Sequence, residues 1–301
     1  MNKRTKGIAF AVLGGVLWGL SGVCAQYLFQ YKGLNAPWLV GIRLVCAGIM
    51  ILALSYTKRE GRDAVINIWK EKRDALELIL FSVFGMGACQ FTYYSAVETS
   101  NAGTATVLSY TAPALIMIWV SLKLRRLPTV AEIFALILAV GGVFLLATHG
   151  DLNNLAIAEM GLVWGLISSV TLAAYSLIPV RVMHKFGTLP VLGWGMLISG
   201  VSLNFFTRPW DVPGIWDGKT FLFLAIAIVL GTVMSFSLYL EGVRLIGAAK
   251  ASLFATSEPL MATISVAVFL NVSFILPDLI GLIMIICATV ILTVFKGNLE
   301  D

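Results

Sequence analysis

Residues 15–20 read Gly-Val-Leu-Trp-Gly-Leu, and residues 161–166, 146 positions later, read Gly-Leu-Val-Trp-Gly-Leu. The same offset, without a gap, lays Tyr93, Val97, Ala102, Ala105 and Pro113 on Tyr239, Val243, Ala248, Ala251 and Pro259. Tryptophan and proline are uncommon, so one offset serving two regions about 80 residues apart points to an internal duplication. The units this predicts are residues 1–150 and 151–301.

Both copies lie in apolar surroundings. Of 301 residues, 59% are apolar and 12% charged, with a mean hydropathy of +0.92. A soluble domain carries about 25% charged residues, so too little polar surface is present to cover a water-exposed globule. Spans of about 20 residues cross a hydrocarbon core of about 30 Å. Ten are expected, near 7–29, 37–57, 76–98, 101–124, 129–148, 157–180, 188–206, 220–242, 247–270 and 276–296. The opening run behind Lys3, Arg4 and Lys6 is full span length and is read as a retained helix. The expected fold class is therefore an all-α membrane protein of ten transmembrane helices.

Charge sets the orientation. With a cytoplasmic N-terminus, sixteen Lys and Arg collect on the inner side, among them Lys58, Arg73, Lys123, Arg126, Arg181, Arg244 and Lys296. Three, Lys32, Arg208 and Lys219, fall on the outer side. This positive-inside bias places both termini in the cytoplasm, in the cytoplasmic membrane. Five spans per unit is an odd number, so the second unit runs inverted with respect to the first. Inverted repeats are the architecture of secondary transporters, whose halves rock around a site near the midplane.

These residues carry a family resemblance over essentially the whole chain. Gly15–Ser21 (Gly-Val-Leu-Trp-Gly-Leu-Ser), Arg43, Tyr94-Ser-Ala-Val97, the run from Ala102 to Pro113 and its counterpart from Ala248 to Pro259 resemble the EamA-type branch of the drug/metabolite transporter superfamily. The resemblance implies transport of small organic solutes, often export of amino acids or other metabolites, through a cavity lined by helices one to four and six to nine. The chain departs from the family's Leu-x-Gly-Glu-like run at Leu122–Arg126 and at Phe269–Val272.

Ionisable groups inside spans cost about 2.5–3.5 kcal/mol at the centre on insertion scales and need a reason to be there. Glu258 lies halfway along 247–270 beside Pro259, with Ala112 as its repeat mate. It is the candidate for proton coupling or for pairing with a substrate ammonium. The alternative is a neutral carboxyl bonded to backbone carbonyls that Pro259 leaves without a donor. Arg43, about 9 Å into the second helix, can clamp a carboxylate with its guanidinium fork, snorkel to the headgroups, or hold a helix-end carbonyl. Lys250, close to the inner end of the ninth span, is either a substrate contact or a snorkelling side chain.

Around these charges stand candidate lining residues. Gln90, Tyr93 and Tyr94 share one side of the third helix, and Tyr239 offers a similar surface on the eighth. Tyr175, with Ser21, Ser168 and Thr171, adds polar contacts. Trp18 and Trp164 occupy one repeat position and either wall the cavity or pack between helices. The chain has no Walker loop and no His-Glu-x-x-His, and its four cysteines lie in apolar runs without paired spacing. It is not expected to be an enzyme, nor to hold a metal or a cofactor. The expected partners are a small-molecule substrate and membrane lipid, not nucleic acid, and a monomer suffices to form the cavity. An amino acid or related zwitterion is the preferred substrate, an organic cation the alternative, with a passive channel or lipid scramblase behind both.

Overall fold

The computed structural model describes residues 2–57, 59–123, 125, 127–151 and 156–297, and all of its regular structure is helical. In chain order the helices are α1 (Lys3–Lys32), α2 (Ala36–Tyr56), the surface helix α3 (Arg59–Asn67), α4 (Lys72–Thr99), α5 (Ala102–Lys123), α6 (Val130–Thr148) and α7 (Glu159–Leu177). They continue with the short α8 (Val180–Phe186), then α9 (Thr188–Thr207), α10 (Gly218–Ile246), α11 (Ala248–Ala255), α12 (Ser257–Leu270) and α13 (Leu276–Gly297). Starts are set by side-chain caps. Asn35, Asn101 and Asp217 accept the backbone N–H groups of Trp38, Thr104 and Thr220 at 3.0, 2.9 and 2.9 Å, and Thr129 with Glu132 forms a reciprocal capping box.

Among the described residues nine helices are long and apolar enough to cross a membrane. The expected ninth span, 247–270, is not one helix. It is divided into α11 and α12 at Thr256, because Pro259 has no N–H to donate to the Ala255 carbonyl. Its repeat mate α5 carries the same interruption, a turn at Tyr110 and Thr111 just before Pro113. A second irregularity also repeats: α4 is π-helical over Phe81–Gly87 and α10 over Ile226–Met234, segments that superimpose at the 146-residue offset.

The packing exchanges the two units. Helix α1 lies against α10 and α12, while its mate α7 lies against α4 and α5. Helix α2 packs on its own mate α9, and α6 on its own mate α13. Both self-pairs run antiparallel: Gly41, Gly48 and Leu52 face Asn204, Leu197 and Gly193 in turn, and Gly142 and Leu146 face Ile285 and Gly281. Small residues bring the α2 and α9 backbones into contact. A Cβ on Gly200 would stand 2.6 Å from the Val45 nitrogen, and one on Gly48 2.6 Å from that of Leu197. Gly200→Val is therefore expected to cost about 1–3 kcal/mol by overpacking. The check is the melting temperature of the detergent-solubilised protein against Ser199→Ala, which keeps the spacing.

One end of the bundle carries the basic segments 59–73 and 178–187 and the described residues of 123–129. There the buried Asp74 joins α4 to α8 through Lys185 and Arg181, each 2.7 Å away. At the opposite end the helices are laced together. Gln26 accepts the Ala102 N–H at 2.8 Å, Glu98 accepts that of Ala36 at 3.1 Å, and Trp38 Nε1 donates to the Pro209 carbonyl at 3.1 Å. Lys32 and Asp217 form an ion pair at 2.6 Å. The Lys32 ammonium, with the Thr220 N–H, holds the Asp217 carboxyl well below the usual carboxylate range. A depressed carboxyl stabilises the fold above its unfolded value of about 3.9 and loses that contribution as the pH falls further. Asp217→Asn keeps the cap on Thr220 but removes the charge. The variant should melt below wild type at neutral pH, with the gap narrowing below about pH 3.9.

Candidate functional site

A cavity of about 890 Å3 occupies the centre of the bundle and is lined by residues of α1, α2 and α4–α13. Its floor is formed by Ser21, Arg43, Gln90 and Tyr94, and its rim by Glu132, Met183, Thr188, Val243 and Thr293 at the basic end. None of the described lining residues comes from the laced opposite end. Among the described residues the lining thus reaches the basic end and stops short of the laced one.

At the floor, Arg43 is 3% exposed and does not reach for the headgroups. Its two terminal nitrogens donate to the Tyr94 hydroxyl and to Gln90 Oε1, and its guanidinium carbon lies 4.3 Å from the centre of the Tyr94 ring. Its Nε has no hydrogen-bond partner. Burial with these contacts accounts for Gln90 and Tyr94 sharing a side of α4: both face the guanidinium across from α2. Tyr93 turns the other way, donating to or accepting from Thr106 at 2.8 Å, with its ring edge-on to Tyr94 at 4.9 Å.

Glu258 stands in the first turn of α12, partly exposed to the cavity. Its backbone lies against Gly19 of α1, where a Cβ would approach the Glu258 carbonyl to 2.7 Å, so the glycine permits this close crossing. The Tyr110 hydroxyl is 3.1 Å from Glu258 Oε2 and 2.9 Å from the Ala255 carbonyl. The carbonyl freed by Pro259 is thus met by Tyr110. Among the described residues neither Arg43 nor Glu258 belongs to an ion pair.

The structure brings together Trp18, Arg43, Gln90, Tyr93, Tyr94, Tyr175, Tyr239 and Glu258 around the one cavity. Trp18 packs on Phe236 and Tyr239, with ring centres 4.9 and 5.2 Å away. Trp164 is not among the lining residues: it lies edge-on to Phe91 at 5.6 Å and packs against the core. The backbone of Lys250 belongs to α11, and its side chain lies outside the described residues. Tyr110, Cys89 and Phe236 line the site without having been singled out from the sequence. For Tyr110 a signal existed in its place three residues before Pro113, at the repeat mate of Thr256. Among the described residues no group of three or more His, Cys, Asp or Glu side chains is placed to hold a metal.

The EamA-like transporter family matches twice, over residues 5–148 and 159–294. The inner membrane transporter YicL of Salmonella typhimurium is 36% identical over 293 residues, which cover 97% of this chain and 97% of that protein. The transporter YcbK of Bacillus subtilis is 23% identical, with 93% of this chain and 90% of that protein covered. A solved structure described only as the crystal structure of a protein has a TM-score of 0.66 at 15% identity, covering 99% of this chain and 100% of that one, a likeness of fold. The chain belongs to the EamA-like transporter family of the drug/metabolite transporter superfamily and is a multi-pass membrane transporter rather than an enzyme.

Proposed function

We propose that the protein is a secondary active transporter that moves an amino acid or related zwitterion across the cytoplasmic membrane by alternating access, coupled to protons through Glu258. The observation that carries this reading is the presence of Arg43 and Glu258 in one cavity without an ion pair between them. Two opposite charges in a low-dielectric site gain most from a solute that brings a counter-ion to each. Arg43, which lines the cavity, takes the carboxylate. Glu258 takes the ammonium or a proton.

The antiparallel self-pairs α2–α9 and α6–α13 support units that are inverted in the membrane, divided at about residue 150. With the basic end in the cytoplasm, both termini are cytoplasmic and the cavity faces inward. Export is the direction favoured by family resemblance. The chain needs no second copy to enclose this cavity, which a monomer forms.

A second reading, an organic cation such as a quaternary amine, draws support from the aromatic wall of Trp18, Phe236 and Tyr239 in the cavity that holds Glu258. The two are separated by ligand-induced thermal shifts of purified protein in detergent, with amino acids, organic cations and carboxylates at millimolar concentration. Saturation to about 100 times the dissociation constant adds about 2.7 kcal/mol. Stabilisation by amino acids that Arg43→Ala abolishes supports the zwitterion. Stabilisation by amines alone assigns the cation, and silence across the panel rejects both.

A further inference from the structure

Among the described residues Tyr110 is the side chain that joins the interruption in α5 to the Ala255 carbonyl and the Glu258 carboxyl at the matching interruption. Its backbone forms the turn in α5, where its carbonyl lacks the regular helical donor because the Ala114 N–H bonds to Thr111 instead. Thr289 of α13 supplies a hydroxyl to that carbonyl at 3.1 Å. Its phenol reaches the matching interruption between α11 and α12, 2.9 Å from the Ala255 carbonyl and 3.1 Å from Glu258. A phenol has one proton, and two acceptors compete for it. An ionised carboxylate is the stronger acceptor, since charge-assisted hydrogen bonds are about twice as strong as neutral ones. Once Glu258 carries a proton or is matched by an ammonium, that advantage falls and the Ala255 carbonyl becomes the better acceptor.

We propose that Tyr110 is the positioning residue of the coupling step: its hydroxyl ties α5 to Glu258 of α12 while that carboxylate is charged, and releases it when the charge is neutralised. This rests on the reading of Glu258 as the proton-coupling group. The helices packed on α12 are α1, whose facing residues Gly15 and Gly19 carry no charge, and the first turns of α5, whose titratable group there is Tyr110. Across the cavity stand Arg43, Cys89, Tyr93 and Tyr239. Among the described residues Tyr110 is the side chain hydrogen-bonded to the Glu258 carboxyl. The two interruptions, at one repeat position in the two units, are the elements that a change of facing would move against each other. A tie that depends on charge keeps the unloaded, ionised carrier from crossing.

The test uses full-length protein in liposomes with an equimolar mixture of the twenty common L-amino acids, followed by mass spectrometry. Tyr110→Phe should lower accumulation driven by a pH gradient to equilibrium, the level that Glu258→Gln reaches. A fluorinated tyrosine at position 110, which keeps the ring and the hydroxyl, should restore accumulation. The double variant Tyr110→Phe with Glu258→Gln should accumulate no less than Glu258→Gln alone. If wild type accumulates, Glu258→Gln does not, and Tyr110→Phe accumulates as wild type does, the inference about Tyr110 fails while the reading of Glu258 stands. If wild type shows no pH-driven accumulation, the Glu258 reading fails and the inference falls with it. Should Tyr110→Phe misfold, failure of the fluorinated residue to accumulate overturns the inference equally.

Discussion

Arg43→Ala should weaken carboxylate-bearing solutes by about 100-fold or more while leaving cations that lack a carboxylate within a few-fold. The magnitude follows from burial. Removing one partner of a buried ion pair costs about 3–5 kcal/mol, and about 1.4 kcal/mol is a factor of ten in affinity. The guanidinium is 3% exposed and already bonded to Tyr94 and Gln90, so its remaining donors are held in place before the solute arrives. Arg43→Lys should be intermediate, because an ammonium keeps the charge but loses the fork. Equilibrium binding of a matched pair, an amino acid and the corresponding amine, checks this. Equal losses for both members would count against a carboxylate clamp.

The second large effect is on the driving force. Glu258→Gln preserves an acceptor for the Tyr110 hydroxyl but cannot exchange a proton in the same range, so the pH dependence of uptake should flatten. One pH unit across the membrane is worth about 1.36 kcal/mol per proton, enough to hold about a ten-fold solute gradient. The variant should lose that accumulation and retain downhill flux. Fluorescence melting of the variant in detergent controls for folding, and an unchanged pH profile would reject the proton role.

Much of the architecture is legible in the chain because apolar length and charge placement are one-dimensional signals. The Trp-Gly pairs at 18–19 and 164–165 announce the duplication, and the spans then follow within a few residues. Hydropathy is blind to what happens inside a span. The interruption at Thr256 leaves the apolar run intact, so it shows only as Pro259, and the π-helical segments leave no mark in composition.

The site was half legible. Arg43 and Glu258 stand out by their cost in a membrane, but whether a guanidinium snorkels or turns inward depends on what faces it, here Tyr94 and Gln90 from another helix. Tyr110 escaped notice because a tyrosine in an apolar run is ordinary until its phenol is seen beside a carboxylate. Trp18 and Trp164 show why repeat position alone does not assign a role. The cavity runs from mid-bundle to the basic end only, so mates related by the duplication meet unlike surroundings: Trp18 meets the wall made by Phe236 and Tyr239, Trp164 the core beside Phe91.

On the proposed function, a zwitterion crosses by alternating access through the cavity of Arg43 and Glu258. The most direct test of this is counterflow in liposomes: uptake of isotopically labelled amino acids, with and without the same amino acids unlabelled inside. Alternating access predicts a rate that saturates with concentration, rises several-fold when the inside is loaded, and is lost in Arg43→Ala. A flux that grows linearly with concentration and is indifferent to the contents of the liposome would contradict it.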